Sequence, residues 1–213
     1  YVGCGIYRSV WLHMASAVSA APHGIRAVTA ALDGSSAVVE VSTALTGTAD
    51  SVTYELADAE GQVLATAEGL GTVQLAANGI TPWTPETPVL YTLRVNVTAN
   101  GAADTAEQRI GIRTIQVSSK TGLLLNGQPR TMKGGCIHHD LGILGAADHA
   151  AAERRRIRLM KESGFDAIRA AHNPFGPAFL DACDELGMLV VEEAFDEWVM
   201  GRTSFGLHVT FEQ

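Results

Sequence analysis

Near Val117 the hydrophobic pattern of this chain changes period. Upstream it alternates every second residue, as a half-buried strand does; downstream, short apolar runs alternate with helical stripes. Two architectures in series are therefore required. From about Gly24 to Val117 the stretches IRAVTAAL, SAVVEVSTAL, SVTYELA, QVLATAE, TVQLA, VLYTLRVNV and EQRIGIRTIQV read as seven strands. Turn pairs separate them, among them Asp33-Gly34, Glu60-Gly61, Asn78-Gly79 and Asn100-Gly101. Period-two alternation with a turn roughly every 8–12 residues predicts an immunoglobulin-like β-sandwich. With no cysteine in the segment, its core rests on packing alone. Trp83, among three prolines in TPWTPETPVLY, reads as an inter-strand packing residue, with sugar stacking as the alternative.

After Val117, LLLNGQPR reads as a hairpin turning at Asn126-Gly127. TMKGGCI is then a strand delivering His138, His139 and Asp140. Asp148 is expected to cap a helix with Glu153 early and Lys161 late, in the sense the helix dipole favours. Ala150, Ile157 and Met160 are its expected buried side, the run Arg154 to Arg158 its solvated face, and Gly164 its end. FDAIRA is a second strand that carries Arg169 and leads to His172 and Asn173. Pro177 opens a helix with a Phe179, Ala182, Cys183, Leu186 stripe, and Gly187 closes it. MLVV then reads as a parallel strand buried on both faces, followed by Glu192, Glu193, Asp196, Glu197 and Trp198. Acids, a guanidinium and imidazoles at the carboxyl ends of consecutive parallel strands mark the place where such folds carry their sites. A closed (β/α)8 barrel takes about 250 residues, so these three strands suit the start of a barrel better than a complete sheet.

The first 21 residues, opening YVGCGIYRSVWLHM, resemble one strand in need of a partner. Composition narrows the rest. A hydrophobic content of 46% with 18% charged residues describes a folded protein, and a formal charge of -8 argues against nucleic acid. No apolar run approaches the roughly 20 residues that cross a bilayer. Cys4, Cys136 and Cys183 are odd in number and widely spaced, which predicts reduced, buried thiols without a disulfide framework or zinc spacing. That usage fits a cytoplasmic location. Homo-oligomerisation stays open.

GGCIHHDLG, RAAHNP, FLDACDELGMLVVEEAFDEW and WTPETPVLYTL, in this order, resemble glycoside hydrolase family 2, which includes β-galactosidases, β-glucuronidases and β-mannosidases. The resemblance implies three segments: residues 1–22 as the terminal strand and linker of a preceding jelly roll, 23–117 as the sandwich, and 118–213 as the first strands of a TIM barrel. It also implies a retaining β-glycosidase of galactosidase-like type. Such enzymes use two carboxyl groups about 5–5.5 Å apart, one protonating the leaving oxygen and one attacking the sugar. In the family these follow the fourth and seventh barrel strands, so the resemblance assigns no catalytic residue to this segment, no metal and no cofactor. It assigns substrate contacts to His138, Arg169, His172, Asn173, Asp196, Glu197 and Trp198. Arg169 would lower the pKa of the nucleophile, or else neutralise Glu192 or Glu193. A magnesium-binding histidine of some members corresponds to Val199 here. Two other readings stand beside this one: a carbohydrate-binding or interaction module without catalysis, and a compact hydrolase using Asp140 and Glu197.

Overall fold

The structure, a computed structural model, describes residues 5–194. They group into two compact units, one of residues 12–131 and one drawn from residues 5–11 and 132–194.

In the first unit, β1 (Ala20–Asp33), β2 (Ser36–Leu45), β3 (Ser51–Ala57), β4 (Val63–Glu68), β5 (Val73–Ala77), β6 (Tyr91–Ala99) and β7 (Ala102–Ile110) form two antiparallel sheets. Their orders are β1-β2-β5 and β4-β3-β6-β7. The fourth strand thus lies beside the third, not beside the fifth as in the constant-type immunoglobulin arrangement. The alternation in the sequence becomes burial. Val39 and Val41 of β2, Val52, Tyr54 and Leu56 of β3, Leu75 of β5, and Leu93, Val95 and Val97 of β6 meet in one core. Each such aliphatic side chain, removed from water, contributes about 1.5–3 kcal/mol. Tyr91, at the start of β6, accepts a hydrogen bond at its hydroxyl from the Thr81 amide at 2.8 Å. This is the tyrosine corner of such sandwiches. Trp83 is fully buried, which supports packing over sugar stacking. The Arg113 guanidinium lies 4.3 Å from its ring, and Gly111 leaves room for it: a Cβ there would come within 2.8 Å.

The stretch read as one seventh strand is two. β7 ends at Ile110, and β8 (Ile115–Ser118) pairs with β9 (Gly122–Leu125), which pairs with β10 (Gln128–Pro129). Asn126 and Gly127 both take positive φ, 51° and 73°, as a two-residue hairpin turn demands. The Asn126 side chain accepts from the Thr114 amide at 2.9 Å and donates to the Trp83 carbonyl at 3.1 Å. That pair of bonds draws the chain out of the β7 ladder. The divisions at 22/23 and 117/118 fall inside β1 and β8.

The expected strand near the amino terminus is absent among the described residues. Residues 5–19 form no strand, and Ile6, Val10, Trp11, Leu12 and Met14 stay largely exposed, because no described strand pairs with them.

In the second unit, β11 (Gly134–Ile137), α1 (Ala150–Glu162), β12 (Ala167–Ala170), α2 (Pro177–Leu186) and β13 (Leu189–Glu192) form a parallel βαβαβ layer in the order β11-β12-β13. Ile168 and Ala170 face the helices and pack with Ile157, Phe179, Ala182 and Cys183. α2 begins at Pro177 and ends on Gly187 in the left-handed region, φ 76°. α1 differs from expectation at its start. His149, not Asp148, occupies the cap position, without a side-chain bond. Ala150 is exposed, and the inward side is Glu153, Ile157 and Met160. β13 is less buried than expected only toward its carboxyl end: Met188 and Leu189 are buried on its two faces, whereas Val191, on the same face as Leu189, is 44% exposed. No described helix is long and apolar enough to cross a membrane.

Candidate functional site

Parallel pairing places Cys136 of β11 opposite Arg169 of β12, and Arg169 opposite Val191 of β13. Strand side chains alternate faces, so this row lies on the side away from the helices. At the carboxyl end of the row the polar residues converge. Arg169 donates through Nε to Glu193 Oε1 at 2.5 Å and through Nη1 to Cys136 Sγ at 2.9 Å. The other oxygen of Glu193 lies 3.1 Å from His172 Nδ1. The His172 ring meets His138 edge-on, with centroids 5.4 Å apart. Three consecutive strands thus contribute to one cluster: His138 follows β11, Arg169 and His172 come from β12 and its bend, and Glu193 follows β13.

The hydrogen bond from Arg169 holds the Glu193 carboxyl below the usual carboxylate range, and the same bond raises the Arg169 pKa. The cluster carries a fixed anion and a fixed cation, suited to the hydroxyls of a polar ligand. Glu192 is turned to the other side, where its Oε1 accepts from the Phe175 amide at 2.7 Å. The consecutive glutamates therefore have separate tasks.

Of the predicted contacts, the structure gathers His138, Arg169 and His172. Asn173 is exposed in the bend, outside the hydrogen-bonded cluster. Asp196, Glu197 and Trp198 lie outside the described residues, as do Val199 and Cys4. Cys136 is exposed, against expectation, because its side chain falls on the helix-free face. Cys183 is buried, and burial pushes its thiol pKa up.

Arg156 departs from the solvated run to which the sequence assigns it. Its guanidinium turns inward, donating to the carbonyls of His138 at 3.0 Å and Asp140 at 2.8 Å and pairing with the buried Glu153 at 2.5 Å. Arg154, Arg155 and Arg158 do remain exposed. Burial raises the Glu153 pKa while Arg156 pulls it down. Residues 153, 156, 157 and 160 share one side of a helix, so the 3.6-residue period was the signal that could have found Arg156. It holds the loop that carries His138.

Two family models match, end to end: residues 18–113 match "Glycosyl hydrolases family 2", and residues 115–210 match "Glycosyl hydrolases family 2, TIM barrel domain". The chain belongs to glycosyl hydrolase family 2. The family identity makes the two units a family-2 sandwich followed by the start of a TIM barrel domain. The chain is 37% identical to the β-galactosidase BoGH2A of Bacteroides ovatus, over 96% of this chain and 26% of that protein. Among solved structures, a β-glycosidase from Bacteroides vulgatus superposes with a TM-score of 0.91 at 30% identity, over 100% of this chain and 29% of the other. A Ruminococcus gnavus β-glucuronidase, solved with uronic isofagomine, gives 0.74 at 28% identity, over 80% and 28%. The chain spans about a quarter of the length of the first of these family-2 relatives.

Proposed function

We propose that the protein is a retaining β-glycosidase of galactosidase-like type, in which this segment forms the sugar-positioning side of the cleft. The observation that carries the reading is the convergence of His138, Arg169, His172 and Glu193 at the carboxyl ends of three parallel strands in a family-2 chain. Barrel enzymes carry their sites at that end. The cluster supplies what a pyranose needs on one face: imidazoles and a guanidinium that bond hydroxyls, with an anion that orders them. The paired carboxyl groups of a retaining mechanism would come from elsewhere in the barrel, because Glu192 and Glu193 are each already engaged on opposite sides of β13.

The relatives favour two sugars, a galactoside and a glucuronide, so the test compares them. The intact protein is assayed with nitrophenyl β-galactoside and nitrophenyl β-glucuronide, following the anomer released. Faster turnover of the galactoside with retention is expected. Preference for the glucuronide would overturn the galactoside assignment, and inversion or no turnover of any β-glycoside would overturn the glycosidase reading itself.

A further inference from the structure

Glu193 presents each of its two oxygens to a different residue of the cluster, Oε1 to Arg169 Nε at 2.5 Å and Oε2 to His172 Nδ1 at 3.1 Å. We propose that Glu193 is a positioning residue for the sugar, fixing both the plane of the Arg169 guanidinium and the site of the proton on the His172 imidazole. The inference rests on the glycosidase reading above and extends it to a residue that does not itself touch the substrate.

The chemistry follows from donor and acceptor counts. An ionised carboxylate only accepts, so the His172 nitrogen that faces it carries the proton. In the neutral ring Nε2 then holds the lone pair and accepts a hydroxyl proton. Arg169 is held at two points, Nε by Glu193 and Nη1 by Cys136 Sγ, and a planar guanidinium so held cannot turn. A site built this way has its first contacts oriented before the ligand arrives. Among the described residues, Glu193 bonds Arg169 from β12 and His172 from the bend; Cys136 of β11 touches Arg169, and His138 touches His172. Arg169 keeps Glu193 ionised by holding its pKa below the usual range. Strand alternation explains the choice of glutamate. Glu193 shares the face of Val191, which lies opposite Arg169, whereas Glu192 faces the Phe175 amide.

The test uses Glu193→Gln and Glu193→Asp in the intact protein. A glutamine offers one oxygen and one amide nitrogen, so it cannot accept from both partners. With its oxygen on Arg169, its nitrogen donates to His172 Nδ1 and drives the ring proton to Nε2. Two readouts follow: kcat and KM on a nitrophenyl β-glycoside, and nitrogen-15 NMR of histidine-labelled protein, with His172 assigned from His172→Asn. Glu193→Gln should lose roughly 10- to 100-fold in kcat/KM, the worth of a charged hydrogen bond, and its His172 proton should move to Nε2. Glu193→Asp should keep the proton on Nδ1 and recover part of kcat. An unchanged kcat/KM in a folded Glu193→Gln protein would overturn the proposal, as would a His172 proton that stays on Nδ1. If Glu193→Gln does not fold, Glu193→Asp decides: a proton on Nε2 there refutes the role. If the wild-type protein cleaves no β-glycoside, the glycosidase reading fails, and the NMR result still decides whether Glu193 sets the His172 proton.

Discussion

Replacing Arg156 with alanine tests how the loop after β11 is held. The side chain is 18% exposed, and its partner Glu153 is 3% exposed. The substitution removes the ion pair, both bonds to the His138 and Asp140 carbonyls, and the guanidinium lying 5.5 Å and 5.7 Å from the Phe175 and Phe179 rings. Removing one partner of a buried pair costs about 3–5 kcal/mol, because the other charge is left without compensation. Glu153 has a partial escape: burial already raises its pKa, and loss of Arg156 raises it further, which makes it easier to protonate as the pH falls. The cost expected at pH 7 is therefore about 3 kcal/mol, at the lower end of that range. The sign of the pH dependence follows. A carboxyl whose folded pKa is raised binds its proton more tightly when folded, so its penalty is present above that pKa and relieved as pH falls through it. The gap between variant and wild type should then shrink toward pH 4.5. Glu153→Gln should cost less, about 1 kcal/mol, since Arg156 keeps both carbonyls and reaches solvent. Urea unfolding followed by circular dichroism at 222 nm reads this unit, because the described helices α1 and α2 both lie in it. A loss under about 1 kcal/mol at pH 7, or a gap that does not narrow with acid, would refute the reasoning.

Two further outcomes are expected. Tyr91→Phe removes the hydroxyl that accepts from the Thr81 amide and should destabilise the sandwich by about 1–1.5 kcal/mol, read from its thermal transition; no change would mean the corner adds nothing to stability. Cys183, buried with a raised pKa, should resist a maleimide in the native protein and react after unfolding, while the exposed Cys136 labels natively; peptide mass mapping that finds Cys183 modified first would contradict the packing of α2.

Legibility followed the range of the interaction that decides each feature. The alternation in SAVVEVSTAL and SVTYELA became the buried faces of β2 and β3 because period two is imposed by the strand backbone itself. Pro177 and Gly187 bounded α2, and Asn126-Gly127 turned the hairpin, because these residues fix φ locally. The break between Ile110 and Ile115 was not legible, since residues distant in sequence decide it: Asn126 binds Thr114 and Trp83. Asp148 looks like a helix cap in isolation, yet the cap position falls one residue later, on His149.

The candidate site divides in the same way. Sequence alone placed His138, Arg169, His172 and the two glutamates at strand ends, because apolar runs and turn residues locate strand ends without reference to any partner. It could not say which glutamate meets Arg169. Parallel register decides that, by setting Arg169 opposite Val191 and so bringing Glu193 to its side of the sheet while Glu192 turns to Phe175. Nor could it separate Arg156 from its solvated neighbours, because an arginine is drawn inward only where packed elements bring a buried acid and loop carbonyls within reach. The sequence determined the two architectures and the kinds of group at the strand ends, through local backbone preference and hydrophobic period. Tertiary structure decided which of those groups share a face and meet one another, because that depends on the register between strands far apart in the chain.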